Sequence, residues 1–530
     1  MAKTYVVCYC ICMSKLKFDK VVLIIMDGWG HTTQTDHNAI HAAHTPFFDH
    51  AMKVYPHTYL EASGLAVGLP QGQMGNSEIG HTTIGAGSPI DTDLVTIAKS
   101  IDSGDFYNDT TLLKMINHAK KNNGRVHVMG LISDGGVHSH NSHLYAFLKM
   151  ATSQGLKNDQ VVMHLFTDGR DVAPGSAIHY VKELLDKAHG FGVGVIGSIG
   201  GRYFGMDRAD NHDRIKHVTD LLFAKDINDI QDRCLNIHVV DHIQNTYNEK
   251  DITGKIDEYM EHVMFNYDGA IYPFAKGDSV FFINFRADRA KQISKTILEK
   301  RNEYDLNFTT MTNYGEDFDT EVVFAPAVIL NTLGKQLSSL GLKHAHISES
   351  EKFPHVTYFV NGQSDLLEDG ETQYKIPSRT DIKTHDEAPE MMSKEIVDKV
   401  MEVYDNNDFI IVNFPNADMV GHTGSMDAVV KAVETVDSET ERLVSFVNDK
   451  GGVCLVTADH GNAEVMFDIS TGKAHTAHTT NLVPVYVSSD KVQVKNDVGT
   501  LADLAPTVID LFGAAEGGKV EDMKGQSLIL

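Results

Sequence analysis

The sequence has 530 residues, of which 42% are hydrophobic and 22% are charged, and its formal net charge is −26 at pH 7. A chain of this length exceeds what one hydrophobic core usually accommodates, so it predicts two or more domains. The negative charge argues against a nucleic-acid or anionic-membrane partner, because such partners are bound through basic patches. No apolar run has the length of a membrane-spanning helix. A small anionic substrate stays compatible with this composition, since metal ions and arginines can outweigh the global charge locally.

The cysteines and the N-terminus give evidence on the cellular compartment of the protein. The five cysteines lie at positions 8, 10, 12, 234 and 454, and this odd number without a CxxC pair favours a reducing, cytoplasmic setting. The apolar stretch Tyr5–Met13 has some likeness to a secretory signal, which is the alternative, but no small-residue cleavage site follows it. Because Met13 and the charged residues after it are typical of a second start, we predict a disordered extension over residues 1–15.

Short β-branched and apolar runs recur along the chain, each followed by polar residues and glycine. Their length predicts buried strands of parallel sheets. Helix-like stretches at 176–189, 393–404 and 426–448 alternate with them, and this alternation indicates an α/β protein. Ligands of such sheets bind beyond the carboxyl ends of the strands. The runs are Val21–Met26, Val126–Ile132, Val161–Phe166, Val193–Ile199, Val280–Phe285, Phe409–Phe414 and Val453–Val456.

Residues suited to chemistry divide unevenly along the chain. Carboxylate and histidine motifs lie before about position 90 and after about 410, whereas arginine motifs lie between roughly 168 and 290. We therefore predict one domain, 16–91 with 327–530, that is interrupted by a second α/β domain, 92–326. The chain would cross between them near Ser88–Ile90 and Asn313–Pro326.

One serine lies in an unusual setting, the motif Gly-Asn-Ser-Glu-Ile-Gly-His at 75–81. Gly75 and Gly80 flank Ser77, and we expect them to let the backbone bend tightly and bring the hydroxyl close to a ligand. A turn that happens to contain a serine is the alternative for this motif alone. The other motifs of the chain favour a nucleophile activated by metal ions.

Four motifs together supply carboxylates and imidazoles, although each alone is typical of an exposed polar turn. Asp418 and His422 are four residues apart, which places both on one face of a helical turn. This donor set suits Mn²⁺, Zn²⁺, Fe²⁺ or Co²⁺, whereas fewer imidazoles would favour Mg²⁺. The absence of cysteine argues against structural zinc. The residues are Asp27, then Asp418 with His422, then Asp459 with His460, and last His475 with His478.

Arginine is scarce, with eleven residues, and five of these fall in three motifs that also contain aspartate: 168–171, 201–208 and 285–289. Guanidinium groups match phosphate and carboxylate oxygens, so the clustering indicates an anion clamp. Structural pairing with the neighbouring aspartates is the alternative. Lys352 follows Glu-Ser-Glu, and from these residues alone we predict that it lies on the solvated surface.

In these motifs the chain resembles the cofactor-independent phosphoglycerate mutases, which belong to the alkaline phosphatase superfamily. The resemblance extends from about Phe18 to the C-terminus. It implies an alkaline-phosphatase-like, parallel-sheet α/β domain that binds metal, interrupted by an α/β phosphotransferase domain that clamps the substrate. The motifs that carry it are Asp-Gly-Trp-Gly, Gly-Asn-Ser-Glu-Ile-Gly-His, Val-His-Ser-His, Asp-Gly-Arg-Asp and Thr-Ala-Asp-His-Gly-Asn.

The resemblance also implies the members of the site. One metal ion would be held by Asp418, His422 and His478, and a second by Asp27, Ser77, Asp459 and His460. Of the two histidines near 475, His478 matches the family's spacing. Catalysis would rest on Ser77 as nucleophile, Asp171 for proton transfer and Lys352 for charge neutralisation. The substrate contacts would be His138, Arg170, Asp171, Arg202, Arg208, Arg286, Arg289 and Lys352.

The implied activity is interconversion of 3-phosphoglycerate and 2-phosphoglycerate, a glycolytic step, through a phosphoserine. It needs two divalent ions, Mn²⁺ with Mg²⁺ or Co²⁺ as alternatives, and no 2,3-bisphosphoglycerate. The partner is a small molecule, neither nucleic acid nor membrane, and we expect a cytoplasmic monomer. A related metal-dependent phosphatase or phosphopentomutase, or an inactive binding protein of the same fold, is the alternative. Ala209 and His212 depart from the family pattern and bear on how Arg208 is placed.

Overall fold

The computed structural model describes residues 17–248, 256–515 and 517–530. The extension predicted for residues 1–15 lies outside this range. The chain divides into two compact units: the first combines the residues up to Thr92 with Val328–Leu530, and the second is Asp93–Ala327. These limits lie one residue beyond the predicted boundaries, and what each unit does as a domain remains a prediction. Each unit has hydrophobic core residues of its own.

The first unit is built on a sheet with eight strands in its described part. Five neighbouring strands, from Glu371–Ile376 to Val453–Thr457, run parallel to one another, and only Val483–Val487 runs antiparallel to both of its described neighbours. In spatial order the strands are Glu371–Ile376, His344–Glu349, Phe409–Phe414, Val21–Met26, Val453–Thr457, Val483–Val487, His57–Glu61 and Gly499–Thr500. A two-stranded ribbon, Phe467–Asp468 with Lys473–Ala474, follows the fifth of these strands in the chain.

The second unit also has eight described strands in one sheet. Val263–Phe265 and Cys234–Leu235 are parallel to each other and antiparallel to the other six strands, which all run in one direction. In spatial order the strands are Glu321–Phe324, Asn307–Thr312, Ser279–Phe282, Val126–Ile132, Asn158–Thr167, Val193–Gly201, Val263–Phe265 and Cys234–Leu235. The segment predicted as the second crossing, 313–326, therefore contains an edge strand of this unit.

Helices connect the strands in both units and cover apolar surface with one face. Met426–Asp449, for example, buries Val429, Val433 and Val436 at helical spacing. The helices of the first unit are Ala39–Ala42, Pro46–Val54, Ser77–Ala86, Leu333–Ser339, Ser393–Val403, Asn416–Gly421, Met426–Asp449 and Leu504–Leu511. Those of the second are Asp93–Ser103, Thr110–Lys121, Asn141–Ser153, Ala177–Phe191, Arg202–Gly205, His212–Leu222, Val239–Asn248 and Lys291–Tyr304. None of the described helices combines the length and apolar character needed to cross a bilayer.

The predicted α/β class is confirmed, and each of the seven predicted runs coincides or overlaps with a strand. One strand ends earlier than predicted: the run predicted to extend to Phe285 is a strand only over Ser279–Phe282. The backbone N–H of Phe285 donates instead to the carbonyl oxygen of His138, at 2.8 Å. This turn holds Arg286 and His138 on adjoining segments of the second unit.

Candidate active site

In the first unit, a charged residue follows the carboxyl end of each of four adjacent strands. These ends are at Glu349, Phe414, Met26 and Thr457. Because parallel strands all end at the same edge, residues distant in sequence meet there. In strand order, the groups are Lys352, Asp418, Asp27 and Asp459.

Ser77 is the first residue of the helix Ser77–Ala86, whose N-cap Asn76 accepts a hydrogen bond from the Ile79 N–H. A helix N-terminus favours an anion because it presents unpaired N–H groups and the positive end of the helix dipole. The predicted tight bend at the flanking glycines is wrong, since the backbone shows no turn or bend at Gly75 and Gly80 lies inside the helix Ser77–Ala86. Gly75 is required for close approach instead: a Cβ there would lie 2.1 Å from the Ala62 carbonyl oxygen.

The Ser77 hydroxyl is buried among ionisable groups, with 5% of the residue exposed. Its Oγ lies 2.9 Å from Nε2 of His460 and 3.4 Å from Oδ1 of Asp27. The Lys352 ammonium donates to the same Oγ at 2.5 Å, to Asp27 at 2.9 Å and to Asp418 at 2.7 Å. A serine at the centre of such a cluster is positioned to become a nucleophile.

Asp418 lies beside two imidazoles whose ring nitrogens are oriented by backbone carbonyls. Nδ1 of His422 lies 2.8 Å from the Thr476 carbonyl oxygen, and Nδ1 of His478 lies 2.8 Å from that of Gly75. Each Nδ1 therefore carries the proton, which leaves both Nε2 atoms as potential ligands. They lie 3.2 and 3.1 Å from Oδ1 of Asp418. The three ligand atoms are within 4.8 Å of one another and fit a metal ion.

The charge balance of the cluster also fits divalent cations. Asp27, Asp418 and Asp459 are at most 2% exposed, and the described cation among them is Lys352. Both carboxylate oxygens of Asp459 lack a hydrogen-bond partner among the described residues. Burying uncompensated carboxylates is costly unless they are paired or bind metal. Burial and repulsion from Asp459 raise the pKa of Asp27.

Lys352 and Asp418 stabilise each other's charged form. Burial alone would lower the pKa of Lys352, but Asp27 and Asp418 raise it well above its usual value. Burial alone would raise the pKa of Asp418, but Lys352 and the hydrogen-bonded imidazoles hold it well below its usual range. The prediction of a solvated surface for Lys352 is thus wrong, because only 4% of the residue is exposed. A lysine among glutamates has no local signal of burial, since tertiary contacts alone bring it to the aspartates.

The second unit holds the predicted substrate residues other than Lys352, beyond the ends of its central strands. Arg202 is 1% exposed, and its Nη1 donates to Asp168 at 2.6 Å and to Asp171 at 2.5 Å. Asp168 also accepts hydrogen bonds from Ser133 and from two backbone N–H groups, which keeps its pKa below the usual value although burial alone would raise it. Arg202 and Asp171 are therefore fixed relative to each other.

The other arginines of this unit surround His138 and Asp288. Asp288 contacts His138 Nδ1 at 3.7 Å, Arg208 at 3.3 Å and Arg286 at 3.1 Å. Burial and the nearby Arg202 lower the pKa of His138 to about 4, so its imidazole is neutral at neutral pH. Burial lowers the pKa of Arg289 most, and repulsion from the neighbouring arginines, Arg202 above all, lowers it further. Several guanidinium groups close enough to repel one another are suited to binding an anion.

Some of these arginines have ion-pair partners and still present an exposed surface. The side chains of Arg170, Arg208 and Arg286 are 51%, 54% and 52% exposed. Structural pairing therefore accounts for Arg202 more fully than for the other three. The turn after Arg208 is well formed despite the departures at 209 and 212, because Asp207 accepts from the Ala209 and Asn211 N–H groups and pairs with Arg214.

Sequence reasoning missed three buried polar residues that contact the predicted ligands. The Asn413 side-chain NH₂ donates to Asp27 at 2.8 Å, and the Asn462 side-chain NH₂ donates to Asp418 at 3.0 Å. Nδ1 of His81 lies 3.3 Å from Oδ2 of Asp459. An amide inside an otherwise apolar strand, as at Asn413, is a signal that could have identified one of them. His475 is not in a described ligand group with Asp418, whereas His478 is.

Fold and site together define a metal-dependent enzyme of the α/β class, and a model of the Metalloenzyme superfamily matches residues 19–516. The chain is 43% identical over 522 residues to the 2,3-bisphosphoglycerate-independent phosphoglycerate mutase of Clostridium botulinum, with 96% of this chain and 99% of that protein covered. It is 42% identical over 521 residues to the enzyme of the same name from Clostridioides difficile, with 96% and 99% covered. The chain belongs to the family of 2,3-bisphosphoglycerate-independent phosphoglycerate mutases.

A solved structure agrees with this membership. A Leishmania mexicana phosphoglycerate mutase, whose crystal structures were determined at low cobalt concentration, is 29% identical to this chain. The similarity covers 98% of each chain with a TM-score of 0.58. The resemblance read from the sequence motifs is thereby confirmed at the level of the family.

Proposed function

We propose that this protein interconverts 3-phosphoglycerate and 2-phosphoglycerate, with Ser77 as the group that receives the phosphoryl. The setting of the Ser77 hydroxyl carries the proposal: it lies at a helix N-terminus, 2.5 Å from the Lys352 ammonium and 2.9 Å from His460. The relatives that are at least 40% identical over nearly the whole chain carry the name of this mutase. No relative among these is named a phosphatase or phosphopentomutase.

The donor sets support two divalent ions. Asp418, His422 and His478 would hold one, and Asp27, Ser77, Asp459 and His460 would hold the other. When bound, such ions favour the deprotonated serine and neutralise charge on the phosphoryl oxygens. Mn²⁺ is the proposed ion, because a site with imidazoles among its ligands suits it better than Mg²⁺.

The chain's own residues then divide the reaction between them. Ser77 Oγ attacks phosphorus, the bond from phosphorus to the 3-oxygen of glycerate breaks, and the products are phosphoserine and glycerate. Lys352 contacts the phosphoryl oxygens and stabilises their growing charge. Asp171 enters the cycle protonated and gives that proton to the departing 3-oxygen. It regains a proton from the 2-hydroxyl when this hydroxyl attacks the phosphoserine, and Ser77 leaves in the deprotonated form in which it attacked. The arginines of the second unit bind the glycerate carboxylate while it reorients.

One assay separates this function from its rivals. Purified protein with Mn²⁺ and without 2,3-bisphosphoglycerate is given 3-phosphoglycerate, and both 2-phosphoglycerate and free phosphate are measured. A mutase forms 2-phosphoglycerate with little phosphate, a phosphatase releases phosphate, and a binding protein does neither. Formation of 2-phosphoglycerate only after 2,3-bisphosphoglycerate is added would contradict the proposal.

Replacing Lys352 by methionine is expected to lower kcat at least about a hundredfold, which corresponds to roughly 2.7 kcal/mol. Methionine has similar length but no charge, so the carboxylates and the phosphoryl group lose their ammonium partner. Steady-state kinetics at saturating Mn²⁺ measures the effect. Lys394→Met is the matched control, since Lys394 is an exposed lysine paired with Asp398 on a helix surface, and it should behave as wild type. A Lys352→Met enzyme within tenfold of wild type would remove Lys352 from the reaction.

Replacing Arg286 by alanine is expected to change what happens to the phosphoserine. Ser77 and the proposed metal ligands remain, so the phosphoserine still forms, but glycerate is held more weakly and leaves more often. Water then hydrolyses the intermediate, and the ratio of phosphate to 2-phosphoglycerate should rise about tenfold or more, since a charged bidentate contact contributes about 2–3 kcal/mol. The two products are measured in the same reaction.

Two variants control this experiment. Arg286→Lys retains the charge and should give an intermediate ratio. Arg301→Ala removes an arginine that pairs with Asp319 in the same unit, and its product ratio should equal that of wild type. An equal fall of both products in Arg286→Ala would mean that Arg286 serves initial binding or folding and does not retain glycerate.

The oligomeric state and the cellular compartment of the protein are proposals as well. We propose that the protein is a monomer in the cytoplasm, where cysteines stay reduced. The described cysteines, Cys234 and Cys454, are free thiols, which supports a reducing setting. Size-exclusion chromatography with light scattering tests the monomer, and a mass near twice 58.5 kDa would contradict it.

A further inference from the structure

A hydrogen-bonded chain connects three parts of the Ser77 site behind the proposed metal ligands. His81 lies one helical turn after Ser77, and Nδ1 of its ring is 2.9 Å from the Ser77 carbonyl oxygen. Nε2 of the same ring is 3.2 Å from Nδ2 of Asn413, and that Nδ2 donates to Oδ2 of Asp27 at 2.8 Å. His81 and Asn413 are both fully buried. The chain therefore runs from the backbone of the nucleophile to a carboxylate on the neighbouring strand.

The partners determine the proton positions in this chain. The Ser77 carbonyl can only accept, so Nδ1 of His81 carries the proton, and Nε2 is left with a lone pair. The Asn413 NH₂ group has two protons, one for Nε2 of His81 and one for Asp27. A flipped amide would place its oxygen against the Asp27 carboxylate, so only one orientation of Asn413 fits.

These proton positions distinguish His81 from a metal ligand. One ligand atom each from Asp27, His81 and Asp459 lie within 4.8 Å of one another, so proximity alone admits an ion among them. However, Nδ1 of His81 donates to Ser77 and Nε2 faces an N–H group, which leaves no lone pair of the ring for an ion. The Nδ1 side of the ring lies 3.3 Å from Oδ2 of Asp459, whose oxygens stay without a hydrogen-bond partner in the described structure.

We propose that His81 and Asn413 are positioning residues for the ion proposed at Asp27, Ser77, Asp459 and His460, and that neither binds that ion. This proposal rests on the proposed function, since it presupposes the two ions. Asn413 holds Asp27 in place, and His81 fixes the backbone of Ser77 and lies against Asp459. Residues behind metal ligands commonly change metal affinity or activity by about 10–100-fold when they are replaced.

The test is a calorimetric Mn²⁺ titration of wild type, His81→Leu and Asn413→Leu, with bound metal counted by elemental analysis. Both variants are expected to bind two ions at saturation, with the affinity for one ion lowered about 10–100-fold and that for the other unchanged. Because the two residues act in one chain, the double variant should lose no more affinity than the worse single variant. His81→Asn, whose NH₂ can replace Nδ1–H toward Ser77, should recover part of the loss.

His164→Leu is the control. His164 is a buried histidine of the second unit, and its ring is hydrogen-bonded to His127 and Ser198, neither of which is a predicted ligand. It should lower thermal stability without moving the titration. Saturation at one ion in His81→Leu would make His81 a ligand and overturn the proposal. Titrations of all variants equal to wild type would make the chain merely structural and overturn it while the proposed function stands, whereas a wild type that binds no ions would overturn both.

If His81→Leu does not fold, the comparison rests on Asn413→Leu and His81→Asn. Leucine has the branching and the number of side-chain heavy atoms of asparagine, and position 413 lies in an otherwise apolar strand, Phe409–Phe414. An unchanged titration in both of these variants likewise overturns the proposal.

Discussion

The Ser77→Ala protein is expected to fold normally and to lose more than about a thousandfold in kcat, a deficit above roughly 4 kcal/mol. The substitution removes only the hydroxyl group, and the described neighbours of this group are the residues that would activate it: His460, Lys352 and Asp27. Without Oγ no phosphoserine forms, so the carboxylates and imidazoles have no nucleophile to act on. Mutase assays give the rate, and mass spectrometry of the quenched reaction shows whether phosphate remains bound to the protein.

Thr83→Val is the matched control for this variant. Thr83 lies on the same helix and is buried, and its hydroxyl has no hydrogen-bond partner among the described residues. Removing that hydroxyl changes the helix as little as Ser77→Ala does, so its activity should stay close to wild type. Retention of more than a thousandth of kcat in Ser77→Ala, with circular dichroism unchanged in both variants, would show that Ser77 is not the obligatory nucleophile.

Complete removal of divalent metal is expected to abolish activity and to lower the melting temperature. Three buried carboxylates, Asp27, Asp418 and Asp459, would then share Lys352 as their described cation, and their mutual repulsion destabilises the folded state. An ion at a hundred times its dissociation constant contributes about 2.7 kcal/mol to the folded state, so its loss lowers the melting temperature by several degrees. Chelation followed by dialysis, with elemental analysis of the product, prepares the metal-free protein.

Restoring the metal is the control for damage by the chelator. Mn²⁺ added to the dialysed protein should return both activity and melting temperature, and Mg²⁺ should return less of either, since a site with imidazole ligands favours Mn²⁺. Undiminished turnover in protein shown by elemental analysis to be metal-free would contradict the proposed mechanism. Loss of activity with no change in melting temperature would instead mean that the buried carboxylates are compensated without ions.

Local signals in the chain were sufficient for the fold class and for most of the proposed ligands. The apolar runs before Asp27 and Asp459 predicted buried parallel strands, and the strands Val21–Met26 and Val453–Thr457 lie there. Asp418 and His422, four residues apart, lie on a helix and its C-cap with their side chains in contact. Such predictions succeed because strand burial and helix periodicity depend on residues that are near in sequence.

Other features were decided by the tertiary structure alone. The residues around Lys352 predicted a solvated surface, yet its ammonium lies between Asp27 and Asp418, which follow two other strands of the sheet. Asn413 would count as one polar residue in an apolar strand until His81 and Asp27 are seen on either side of its amide. The sequence by itself determined an α/β fold and a supply of carboxylates, imidazoles and arginines. The order of the strands decided which of them meet, because parallel strands bring their carboxyl ends to one edge whatever their separation in the chain.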